Sequence, residues 1–225
     1  MLSEVFKLFW KTVEMKDARR INSQTPPTEI EQFCDIQYID DGLWQHRLDV
    51  YSKSGKLSHR PVIIDIHGGG WMYGTKEINK NYCLVLAQND YVVVNINYRL
   101  APDFSVADQL RDCFFAFKWV STNIEKYGGD LNDVFVTGDS AGGFLAAYSA
   151  LLNSSDKLRK VFGVTESGLE FRACGLTSPV CFMNTHTFQD VYYSRVKGKE
   201  FSESTLRGFE NFDAVLNKGS MPPTF

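Results

Sequence analysis

Ser140 stands in Gly138-Asp139-Ser140-Ala141-Gly142-Gly143, preceded by the apolar run Val134-Phe135-Val136 and followed by a helix-forming stretch over 144–152. A serine on a sharp strand-to-helix turn projects its hydroxyl above a sheet, and small flanking residues let the backbone turn. The chemistry served is nucleophilic attack. A bare G-x-S-x-G also occurs as a structural glycine turn, and the strand before it and helix after it are what favour the nucleophile. A second segment, His67-Gly68-Gly69-Gly70-Trp71, directly follows the buried run 62–66. Acyl transfer develops an oxyanion, and glycines let successive backbone N–H groups face it without side-chain interference. Gly69 and Gly70, with the amide of Ala141, are the expected donors. A structural glycine turn or a phosphate cradle would use the same residues, but neither G-x-x-x-x-G-K-S/T nor G-x-G-x-x-G spacing accompanies them.

His67 lies near this site, yet at the end of a buried strand beside three glycines it is expected to hold the loop by hydrogen bonds rather than act as base. Asp139 is expected to support the turn and Arg99 to anchor a loop beneath it. Trp71, Tyr73, Phe104 and Phe182 are either core or pocket lining.

A parallel sheet is needed to position these segments. Short apolar runs at 61–66, 91–96 and 133–137 alternate with helical periodicity over 76–88, 106–127 and 141–153, and a fourth buried run covers 173–180. Runs apolar on both faces, separated by helices, predict a parallel sheet covered on both sides. Segments 33–39 and 48–51 predict an antiparallel start. Within residues 1–28, Val5, Phe6, Phe9, Trp10 and Val13 mark one face of an amphipathic helix that ends before Pro26-Pro27. Residues 183–219, with helical fragments such as 204–216, have the character of an insertion over the top of the sheet. One α/β domain over 1–225 is expected.

Three motifs, His67 to Trp71, Asn97-Tyr98-Arg99-Leu100-Ala101-Pro102 and Gly138 to Gly143, resemble those of the hormone-sensitive-lipase-like esterases of the α/β-hydrolase superfamily in order and approximate spacing. The resemblance covers roughly 33–180. It implies an α/β-hydrolase fold, a mostly parallel central sheet flanked by helices, and a serine carboxylester hydrolase working through an acyl-enzyme on a small-molecule ester. A cap built partly from the N-terminal helix is also implied. Trp71 after the glycines resembles the H-G-G-x-W segment of kynurenine formamidase and feruloyl-esterase-like relatives, so amide and aryl-ester substrates stay open.

The triad order on that fold is Ser, then Asp or Glu, then His. Downstream of Ser140 the sequence holds one histidine, His186, and the one aspartate between them is Asp156. Neither location suits a triad member. Residues 219–225 resemble the lead-in to a further core strand, so the last strands, with the acid and base, are expected to be missing. Segment 173–180 would then be an exposed edge, open to a second copy or a complementing C-terminal segment. A catalytically dead hydrolase-fold binding protein is the competing reading.

With 44% hydrophobic residues in 225, the chain can bury a sizeable core. Its net charge of −3, from 24 basic and 27 acidic residues interspersed, argues against nucleic-acid partners. No apolar run reaches membrane-spanning length, and Glu4, Lys7, Lys11, Glu14 and Lys16 stand where a signal peptide would be apolar, so a cytoplasmic protein is expected. The five scattered cysteines are expected as reduced thiols, and the four dispersed histidines imply no metal or organic cofactor.

Overall fold

The computed structural model describes residues 2–55, 59–183, 189–203 and 206–225, with the side chains of 2–5, 7 and 202–203 excepted. In chain order the elements are α1 (Leu2–Asn22), β1 (Ile30–Gln37), β2 (Arg47–Lys53), β3 (Arg60–Ile66), α2 (Lys80–Gln88), β4 (Val92–Ile96), α3 (Val106–Asn123), β5 (Gly129–Asp139), α4 (Ala141–Asn153), α5 (Asp156–Phe162), β6 (Phe171–Thr177), α6 (Gln189–Glu203) and α7 (Phe212–Leu216). The sheet runs β1-β2-β4-β3-β5-β6. Pairings β1 with β2 and β2 with β4 are antiparallel, and those that follow are parallel.

Strand β4 is buried along its whole length, as an interior strand of a sheet covered on both faces must be. Its period-two alternation sends Val92, Val94 and Ile96 into the larger core with α3 and α4, and Val93 into a smaller one with Cys83, Leu84 and Ala87 of α2. Helix α3 starts with a capping box in which the Ser105 hydroxyl accepts from the Asp108 N–H and the Asp108 carboxylate accepts from the Ser105 N–H. Almost every residue of α4 is buried, which its composition of Ala, Leu, Phe and Gly permits. Among the described residues no helix is long and apolar enough to cross a membrane.

Several boundaries differ from those expected. Strand β5 starts at Gly129, through a polar stretch that enters the ladder with Arg60 opposite Gly129. Strand β6 ends at Thr177 because Ser178 turns to φ +47 before Pro179. Helix α5 had not been expected, although Ser155 caps its N-terminus and Gly163 at φ +66 closes its end. Of the helix expected over 204–216, residues 204–205 lie outside the described residues; the described remainder is helical in α7, and Gly208 at φ +88 lies before it. The β6 edge is not bare as expected: Pro223 and Phe225 pair with Cys174 and Leu176 along it, so the last residues take the next parallel strand position.

Beneath α2, the ammonium of Lys76, only 3% exposed, contacts Asp49 at 2.9 Å, Glu77 at 2.9 Å and Asp35 at 3.1 Å. Burial disfavours this charge, but hydrogen bonds to Glu77 and Asp49 outweigh it and raise the lysine's pKa. Asp49 is wholly buried and also accepts from Tyr51 and from the Asp35 N–H. The cluster ties the segment entering α2 to β1 and β2. Removing one partner would strand a buried charge: Lys76→Ala is expected to destabilise by roughly 3–5 kcal/mol in denaturant unfolding. A loss below about 1 kcal/mol would show the carboxylates to be solvated after all.

Candidate active site

Ser140 lies between β5 and α4 at φ +52 and ψ −113, a left-handed conformation for a residue with a side chain. Such backbone costs roughly 1–3 kcal/mol and persists only where the surroundings fix it. Here the Ser140 N–H donates to the Thr177 carbonyl at 2.9 Å, and the Ser140 carbonyl accepts from Phe144 and Val180. The glycines around it are required by contact: a Cβ on Gly138 would overlap the Gly142 carbonyl, and one on Gly142 would overlap the carbonyls of Ile66 and His67. The start of α4 thus presses directly on the end of β3.

That contact brings the two sequence motifs together. Gly68, Gly69, Gly70, Asp139 and Ser140 line one cavity of about 390 Å³, with Trp10, Asp17, Arg20 and Asn79 on its other walls. Ala141, the third expected donor, follows Ser140 as the first, buried residue of α4. Among the described residues, the amides of Gly69, Gly70 and Ala141 donate to no backbone carbonyl.

Successive carbonyls of the glycine loop are each held. The Gly68 carbonyl accepts from His67 Nδ1 at 2.7 Å, and the Gly69 carbonyl accepts from the N–H groups of Met72 and Tyr73 at 3.2 and 3.0 Å. Because C=O and N–H point oppositely across a trans peptide, anchoring these carbonyls turns the Gly69 and Gly70 N–H groups the other way. His67 is fully buried and stacks on Tyr98 at 4.4 Å, and the Tyr98 hydroxyl donates to its carbonyl. Burial lowers its pKa to about 4, against the opposing effects of Gly68 and Asp139, so it is neutral at pH 7. Its placement matches the loop-holding part expected of it.

Asp139 does not face the nucleophile's substrate side alone: its carboxylate accepts from the Gly68 N–H at 2.9 Å and from the Asn79 amide at 3.0 Å. Asn79 also donates to Asp65 at 3.0 Å, so one side-chain amide joins two carboxylates. Nothing in the local sequence marks Asn79 or Asp65, since their link spans three elements. Arg99 grips the buried Asp112 with contacts at 2.7 and 2.9 Å, and His46 approaches the same carboxylate at 3.1 Å, an anchor beneath the loop. Trp71 and Tyr73 do line cavities, whereas Phe104 lies under the Arg99 guanidinium and Phe182 is exposed. His186 lies outside the described residues, and Asp156 is at the first turn of α5, paired with Arg159.

Fold and cavity together define an α/β-hydrolase. The chain belongs to the BD-FAE family, whose model matches residues 48–190. It is 36% identical over 112 residues to versiconal hemiacetal acetate esterase of Dothistroma septosporum, covering 49% of this chain and 33% of that protein. It is 29% identical over 189 residues to isoprenylcysteine alpha-carbonyl methylesterase ICME of Arabidopsis thaliana, covering 80% of this chain and 44% of that protein. This chain therefore spans less than half the length of these relatives. Esterase B from Lactobacillus rhamnosis, solved with a tributyrin phosphonate inhibitor, superposes with a TM-score of 0.92 at 31% identity, covering all of this chain and 72% of that one.

Burial pushes the pKa of Asp65 up to about 7, with the Asn79 hydrogen bond opposing and the Asp139 charge adding to the rise. A carboxyl whose folded pKa lies above its unfolded value of about 3.9 stabilises the fold at low pH and loses that contribution as pH rises toward 7. The stability of wild type minus that of Asp65→Asn is therefore expected to fall between about pH 4 and pH 7. Chemical unfolding at pH 4.5 and 7.5 checks this, and a difference independent of pH would contradict it.

Proposed function

We propose that this chain carries the nucleophile and the oxyanion hole of a carboxylester hydrolase that acts through an acyl-enzyme on small or short-chain esters. The observation that carries the reading is the placement of Ser140, in a left-handed turn at a helix start, in one cavity with Gly69 and Gly70. Attack of the Ser140 hydroxyl on the ester carbonyl would form a tetrahedral intermediate whose oxyanion accepts from the Gly69, Gly70 and Ala141 amides. Collapse expels the alcohol and leaves the acyl group on Ser140, and water then repeats the addition and releases the acid.

His67 is unsuited to be the base, because its Nδ1 is committed to Gly68 and its ring is buried. The Ser140 proton therefore goes to a base other than His67, within hydrogen-bond reach of the Ser140 hydroxyl. An adjoining apolar cavity of about 400 Å³, with Phe6, Trp10, Gly70, Trp71 and Tyr193 among its walls, offers room for a short acyl or alcohol group. Esterase names among the relatives, and the phosphonate-inhibited esterase B, support the reaction class. We place α1 and residues 183–219 as the cap over this site.

Hydrolysis of p-nitrophenyl acetate and butyrate tests the reading. Turnover by this chain is expected to be weak without the acid and base, and whatever exceeds the uncatalysed background is expected to vanish in Ser140→Ala, with circular dichroism confirming equal folding. Equal rates above background for the two folded proteins would contradict the assignment of Ser140.

A further inference from the structure

Four consecutive carbonyls in the glycine loop are held by hydrogen bonds, and their donors come from different parts of the molecule. Those of Gly68 and Gly69 are held by His67, Met72 and Tyr73, all within the same loop. That of Trp71 accepts from the Ala101 N–H at 2.8 Å, in the segment between β4 and α3, and from the Gln109 amide on α3 at 2.9 Å. That of Gly70 accepts from the hydroxyl of Tyr192 on α6, more than a hundred residues away. Tyr192 is half-buried, its ring edge-on to Phe6 of α1 at 5.0 Å and to Tyr193 at 5.9 Å. A Cβ on Gly70, itself at φ +58, would overlap the Trp10 ring and crowd the Tyr192 hydroxyl. Helices α1 and α6 therefore converge on this one glycine.

We propose that Tyr192 is a positioning residue for the oxyanion loop, making the loop's catalytic geometry conditional on α6 being docked. A glycine in the left-handed region has no side chain to restrain its two peptides. The preceding peptide is fixed through the Gly69 carbonyl, and the following one, Gly70–Trp71, is fixed through Tyr192. Without that bond the Gly70–Trp71 peptide can turn about the Gly70 ψ and Trp71 φ, and the Gly70 Cα, which carries the oxyanion-facing N–H, is held from one side instead of two. The energetic scale is that of one neutral hydrogen bond, which read in a rate is roughly 3- to 10-fold.

This inference rests on the hydrolase reading, and two measurements separate their failures. Tyr192→Phe keeps the ring and its contacts while removing the hydroxyl. In p-nitrophenyl butyrate hydrolysis, kcat is expected to fall about 3- to 10-fold with KM within about twofold, because the oxyanion forms only in the transition state. A rise in KM alone, or no change, would overturn the proposal. Amide hydrogen exchange over residues 69–73 needs no turnover. Faster exchange in Tyr192→Phe at unchanged melting temperature supports the proposal even if the esterase reading fails with Ser140→Ala, and unchanged exchange overturns it whatever the kinetics.

Discussion

Everything at the site depends on how closely two pieces of backbone approach where β3 ends and α4 begins. The Gly142 Cα lies against the carbonyls of Ile66 and His67, in space no Cβ could share, and Gly138 meets Gly142 in the same way. The approach sets the serine turn beside the glycine loop, and the Asp139 carboxylate then closes the gap with hydrogen bonds to Gly68 and Asn79. Strain in the Ser140 backbone is held by pairing on both sides, to Thr177 of β6 and to Val180 beyond it. A parallel sheet supplies these neighbours because each strand's end lies at the same edge.

Buried polar groups do the remaining anchoring, and they do so in linked sets rather than pairs. Lys76 with Asp35, Asp49 and Glu77 secures the segment that presents Asn79, while Arg99 with Asp112 secures the stretch whose Tyr98 stacks on His67. In each set a fully buried aspartate is compensated by a cation and by further donors, the condition under which a buried charge is tolerated. The loop is thus fixed from beneath by charge and from above by the hydroxyl of Tyr192.

Much of this was legible in the sequence where the cause is local. Helix α4 begins and ends as expected because the Ala/Leu-rich run over 144–152 specifies a buried helix without reference to other segments. The glycine loop and the serine turn were legible for the same reason: backbone freedom is written in the residue type. Elements that form by long-range pairing were not. The start of β5 at Gly129 is polar and depends on pairing with β3 and on Arg172 of β6, and the pairing of Pro223 and Phe225 along β6 depends on residues some fifty positions away. Asp65, Asn79 and Tyr192 carry no local pattern at all, since each matters through a partner brought to it by the fold.

The most direct test of the central claim, that Ser140 and the glycine loop act on one reacting carbon, is a crystal structure after reaction with a short-chain alkyl phosphonate. The expected result is phosphorus bonded to Ser140 Oγ, with one phosphonyl oxygen about 2.7–3.1 Å from the amide nitrogens of Gly69, Gly70 and Ala141. Phosphorus on another side chain, or a Ser140 adduct whose oxygens all turn away from the loop, would contradict it.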